Sequence, residues 1–194
     1  MSVQPSDSTT EFVTVRLDFI PAVMLYRRAV AMAEQAAQRA AQFAERSSNE
    51  RRLRMIDAVM ETIILSQAAA EGWIYAAYRL AEEKPSGRGW RACWAQAPQI
   101  IAGPQARDLD TETLVTLDWL SAWRNYLVHD DDRARERLAR FVPAGSETDH
   151  LTAEMAREVI TRMDDAFTDI GAVIGFRTLS APNSAALWVA HDER

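Results

Sequence analysis

The sequence predicts an all-α fold: an up-down bundle of four to five helices, with a short N-terminal extended arm and an irregular C-terminal tail. Three observations carry that reading. Apolar residues recur every three or four positions over several long stretches. The 194 residues include 33 alanines, the strongest helix former. Glycine, proline and capping residues cluster between those stretches, where they separate one helix from the next.

Residues 1–10 read as a flexible tail. Val13, Val15, Leu17 and Phe19 then alternate with Thr14, Arg16 and Asp18, the period-2 signature of a short strand or extended lead-in. From Pro21, which suits a first helical turn, the period becomes helical and continues to about Arg46. That helix carries alanines at 29, 31, 33, 36, 37, 40, 41 and 44, so many small side chains that close packing on a neighbouring helix is expected. Ser47-Ser48-Asn49-Glu50 fits a capping box. A second long helix follows, through Leu53, Ile56, Val59, Ile63, Gln67, Ala70, Ile74, Ala77 and Ala81, and stops at Lys84-Pro85-Ser86-Gly87.

Trp90 and Trp94, one turn apart, mark a short helix between Gly89 and Ile101. Asp110-Thr111-Glu112 opens the next, with Leu114, Leu117, Leu120, Trp123 and Leu127 on its apolar face. Asp130-Asp131-Asp132 interrupts or restarts it, and a segment from Arg133 to Phe141 follows. Beyond the loop at Pro143-Ala144-Gly145, Thr148 or Asp149 caps a last long helix ending near Ile174. With no internal repeat and no linker, residues 11–175 form one domain and 176–194 a tail.

Composition narrows the function. No apolar run approaches the roughly 18 residues of a membrane span, and the first residues are polar, so a cytoplasmic protein with no membrane partner is expected. Cys93 is the one cysteine and is read as a buried small residue; His129, His150 and His191 are scattered, so no metal site and no cofactor is expected. Phosphate-loop, dinucleotide-binding, serine-elbow and zinc-protease motifs are all missing. The net charge of −6 argues against a general electrostatic grip on nucleic acid. There are 21 arginines against one lysine, Lys84, which is more a coding bias than a phosphate-binding signal. Any nucleic-acid function rests on a local site.

One stretch offers such a site: Ser121-Ala122-Trp123-Arg124-Asn125-Tyr126-Leu127-Val128-His129-Asp130. Its Arg-x4-His spacing, with Asn directly after the Arg, sits late in a helical chain and resembles the signature of HEPN domains. Those are helical bundles, many of them metal-independent endoribonucleases that dimerise with their motifs facing each other. The resemblance implies RNA as substrate, His129 as general base, Arg124 gripping the phosphate and Asn125 contacting phosphate or orienting the histidine. It further implies a toxin–antitoxin, stress or phage-defence setting, with an antitoxin or regulatory protein as a partner. A carboxylate at Glu71 or Asp130 would support the pair. Asp131 stands where some family members carry a modifiable tyrosine, so that mode of regulation loses support.

The residue types suit the reaction. RNA supplies its own 2′-OH nucleophile, so cleavage needs a base that works near neutrality and a permanent cation for the transition state. Arginine's planar fork can hold two phosphate oxygens at once. Geometry sets a condition, because residues five apart lie about 140° apart around an ideal helix. Either the helix breaks before His129, or a second copy completes the site across a homodimer; the resemblance favours the homodimer. The alternatives are a non-catalytic module binding nucleotide, RNA or protein, and a structural helix end in which Arg124 bridges Asp118 or Asp131 and His129 meets Asp130 or Asp131. Trp90/Trp94 and Trp119/Trp123 are read as core or interface, and Arg51-Arg52-Leu53-Arg54 as a solvated face.

Overall fold

In a computed structural model, residues 20–45, 49–85, 89–129, 131–178 and 189–191 are described. The tail at 1–10 and the alternating arm at 13–19 lie outside them. Helices α1 (Ile20–Glu45) and α2 (Asn49–Leu80) form a long antiparallel hairpin. Its register is visible in Ala22 against Gly72, Arg28 against Glu61, and Arg51 Nη1 donating to the Gln42 carbonyl at 2.9 Å. On α1 the buried positions are Ala22, Val23, Tyr26, Ala29, Met32, Ala33 and Ala36; the alanines among them are the small residues that let the two backbones approach.

Gly72 lies within α2, where a missing side chain costs stability, and a Cβ there would meet the Ala22 Cβ at 3.5 Å, an ordinary contact. Gly72→Ala is therefore expected to stabilise the protein by about 0.5–1 kcal/mol. A chemical denaturation midpoint that falls in this variant would show that the hairpin has no room for a methyl group.

Behind the hairpin, α3 (Trp90–Ala97) continues through a π-helical turn at Pro98–Ala102. Pro98 has no amide hydrogen to close a normal turn, which fits the local widening. Then come α4 (Thr111–Val128), α5 (Asp132–Leu138), a single turn α6 (Glu147–His150) and α7 (Ala153–Ile174). Helix α2 lies at the centre, touching α1, α3, α4 and α7. Tyr26 from α1, Trp73 from α2, Trp94 from α3 and Phe167 from α7 meet in one aromatic cluster, with ring centroids 5.3–5.8 Å apart. These distances suit edge and tilted ring packing.

The bundle is the all-α fold the periodicity predicts, with several boundaries moved. Helix α2 ends at Leu80, before Lys84-Pro85, because Glu82 adopts a left-handed φ of 57°. Helix α5 stops at Leu138, short of Phe141. The cap of α7 is Thr152, whose hydroxyl accepts from the Met155 amide at 3.3 Å; Thr148 and Asp149 lie within α6 instead. Gly175, at φ 77°, ends α7 in the left-handed conformation that glycine favours. Part of the expected irregular tail pairs as a ribbon, β1 (Phe176–Thr178) antiparallel to β2 (Val189–His191), with Phe176 opposite His191.

The start of α4 is fastened from across the bundle. Asp169 on α7 is 8% exposed and accepts from the Asp110 amide at 2.9 Å, the Thr113 hydroxyl at 2.8 Å and the Arg107 guanidinium. Burial alone would raise its pKa, but the hydrogen bonds from Arg107, Asp110 and Thr113 outweigh it and hold the carboxyl below the ordinary range. A depressed folded-state pKa gives stability that is complete above the unfolded-state value and is lost as pH falls through the folded-state value. Asp169→Ala is expected to cost about 2–3 kcal/mol at neutral pH, because it leaves the α4 donors without an acceptor. The gap between the two proteins should close under acid; a difference independent of pH would assign the loss to packing.

Candidate functional site

Helix α4 delivers the Arg-x4-His stretch and ends at the right place. Its last turns are anchored by Trp123, which is buried and meets the Tyr126 ring edge-on at 6.0 Å. The helix stops because His129 turns to φ −121°, ψ 111°, while its amide still donates to the Asn125 carbonyl at 2.8 Å. That change of backbone direction abolishes the 140° separation an unbroken helix would impose. Arg124 Nη1 lies 3.2 Å from His129 Nε2 and 3.2 Å from Asn125 Oδ1.

All three motif residues therefore converge within one protomer. Of the two ways to satisfy the geometry, the helix break is the one realised. A second copy is not needed to bring Arg124 and His129 together.

Arginine has only donors, so in the Arg124–His129 contact Nε2 is the acceptor. Asn125 likewise accepts through Oδ1, which leaves its amide NH2 free to donate elsewhere. Both of these bonds use Nη1. The Nε and Nη2 edge of the guanidinium, the fork that grips two oxygens, makes no bond among the described residues. Arg124 is half-buried and His129 exposed.

Two of the three carboxylates that would turn the pair into a saturated helix end are engaged elsewhere. Asp118 bridges Arg91. Asp131 caps α5, accepting from the Ala134 amide at 2.7 Å. Among the described residues Arg124 meets no carboxylate. Asp130 lies outside them. Glu71 accepts from Gln67 at 3.5 Å, one turn back on α2, and makes no hydrogen bond to the motif among the described residues.

Trp90, Trp94, Trp119 and Trp123 are all buried, which is core packing, and Cys93 is buried with them. Arg52 and Arg54 are exposed and bridge Asp149 and Glu50. Arg135 reaches Asp132 at 3.7 Å, partly neutralising the acidic run. Arg137 instead turns to a groove beside the motif, together with Arg91 and Arg140. Sequence reasoning missed that groove; its one local signal was Arg137 and Arg140 close together in the chain.

No group of His, Cys, Asp and Glu among the described residues is arranged to hold a metal ion, and none of the described helices is long and apolar enough to cross a membrane. The chain matches no family model, no curated protein and no solved structure.

Proposed function

We propose that the end of α4 is a metal-independent RNA-cleaving centre. The observation that carries this reading is the convergence of Arg124, Asn125 and His129 within 3.2 Å contacts, with the arginine fork unpaired among the described residues and the imidazole at the surface. The resting Arg124–His129 bond occupies the Nε2 lone pair. An incoming phosphodiester takes the open Nε and Nη2 edge, and these charge-assisted bonds pull the guanidinium away from its weaker contact with the imidazole. Drawing Arg124 onto two phosphate oxygens frees Nε2. Nε2 then takes the proton of the 2′-OH, the 2′ oxygen bonds to phosphorus, and the P–O5′ bond breaks, the departing oxygen taking a proton from water. Arg124 offsets charge on the phosphorane-like transition state, and the Asn125 NH2 donates to the same group. The products are a 2′,3′-cyclic phosphate and a 5′-hydroxyl.

Two copies facing each other across a twofold would place two such centres side by side, as the resemblance to HEPN domains implies. Val128, 46% exposed beside His129, is an apolar contact available to such a homodimer. The same resemblance suggests a toxin–antitoxin, stress or phage-defence role with a regulatory protein partner.

A second reading, a HEPN-like module that binds nucleotide, RNA or protein without cleaving, is favoured by one observation: the base lone pair is already occupied by Arg124. The 2′-OH separates the two. On a deoxyribose strand carrying a single ribonucleotide, the proposed chemistry cuts only on the 3′ side of that nucleotide and leaves a cyclic phosphate there. Binding of the strand with no cut at the ribonucleotide would leave the binding module as the reading.

A further inference from the structure

The groove beside the motif is the most distinctive feature of the remaining surface. It is a cavity of about 490 Å³ between the start of α3, the middle of α4 and the end of α5, where Arg91, Arg137 and Arg140 face Asp118 and Ser121. On a chain of net charge −6, three guanidiniums against one carboxylate make a local excess of positive charge.

The three arginines are held in different ways. Arg91 is held by Asp118, while Arg140 lies over the Phe141 ring, 5.9 Å from its centre. Neither Arg137 nor Arg140 meets a carboxylate among the described residues. Elsewhere on the surface Arg28, Arg52, Arg54, Arg107, Arg157 and Arg162 each have an acidic partner.

Position ties the groove to the motif. Ser121 lines it, and Arg124 and Asn125 follow three and four residues later, the spacing of neighbours on one helix face. Arg124 does not itself line the groove; it stands one helical turn further along α4 from Ser121.

We propose that this groove is a backbone track for a single nucleic-acid strand, with Arg137 and Arg140 binding the phosphates that flank the one held by Arg124. The inference rests on the RNA-cleaving reading for its direction, but its binding can be measured separately. Arg137 and Arg140 are exposed, so Arg137→Gln with Arg140→Gln leaves the fold intact; helix content and melting temperature check this.

A fluorescent single-stranded oligodeoxynucleotide is the probe, since without 2′-OH groups it reports binding alone. The double variant should bind it about tenfold more weakly at low salt. The slope of log affinity against log salt should shrink by about 0.7 for each phosphate that is no longer neutralised. On RNA, the same variant should raise KM and leave kcat near that of the parent protein. Arginine-dependent binding of the DNA strand without RNA cleavage would uphold the track and remove the catalytic reading. Unchanged affinity and salt slope, or no binding by the parent protein, would overturn the track. Equally tight, arginine-dependent binding of polyglutamate would overturn it in favour of an acidic protein partner.

Discussion

His129→Ala should reduce RNA cleavage by about 10²–10⁴-fold, the range over which a positioned general base acts. The ring is exposed and lies at a helix end, so its removal should leave the bundle's stability within about 0.5 kcal/mol. Activity and folding are thus separable at this position. Arg124 provides the complementary test. Arg124→Ala should lose activity on a similar scale, since the transition-state cation is gone. Arg124→Lys keeps the charge but not the two-pronged geometry, and should recover only a small part of the loss. Full activity in the lysine variant would mean that charge alone suffices and that the fork has no role. Asn125→Ala should have a smaller effect than either, because it removes one donor among several. Initial rates on a defined RNA, with each variant's melting curve beside them, supply the comparison.

Trp94→Ala should cost about 3–5 kcal/mol, the largest stability loss expected from one substitution here. The side chain is fully buried, and its Nε1 donates to the Ala70 carbonyl at 3.1 Å, fixing α3 against α2. Its ring lies 5.5 Å from Trp73 and 5.7 Å from Phe167. Removing it opens a cavity at the point where α2, α3 and α7 meet, and their packing cannot close fully around the space. For a domain of this size the loss corresponds to a fall in Tm of roughly 6–20 °C. Trp94→Phe should retain much of the packing and lose mainly the hydrogen bond, so it should fall between the two. A Trp94→Ala protein that melts within a degree or two of the parent would contradict a core organised around this cluster.

The bundle was legible because helical periodicity is a local signal and each buried stripe repeats it. Ala22, Tyr26, Ala29, Ala33 and Ala36 are apolar at spacings of three and four, and all are buried. Boundaries set by backbone dihedrals were less legible. Nothing in the run Leu80-Ala81-Glu82 announces a left-handed glutamate, and the choice among Thr148, Asp149 and Thr152 as cap depends on where α6 turns. The ribbon between Phe176 and His191 joins segments whose pattern alone does not pair them.

At the candidate site, the residue set and the need for a break were legible, because Arg124 and His129 cannot meet on an unbroken helix. Which solution the protein uses was not, since that depends on the extended backbone of His129. Glu71 looked eligible as an acid within an apolar helix, but its hydrogen bond is to Gln67 on the same helix. The arginine groove was invisible for the converse reason. Arg91 is far in sequence from Arg137 and Arg140, and only the packing of α3 and α5 against α4 joins them.

The proposed centre requires cleavage without a divalent ion and through His129. Purified protein and its His129→Ala variant, incubated with mixed RNA in excess EDTA and followed by analysis of product ends, put both requirements in one assay. The expected result is cleavage by the parent alone, leaving 2′,3′-cyclic phosphate and 5′-hydroxyl ends. Equal behaviour of the two proteins, whether both cut or neither does, would contradict a catalytic role for the Arg124–His129 pair.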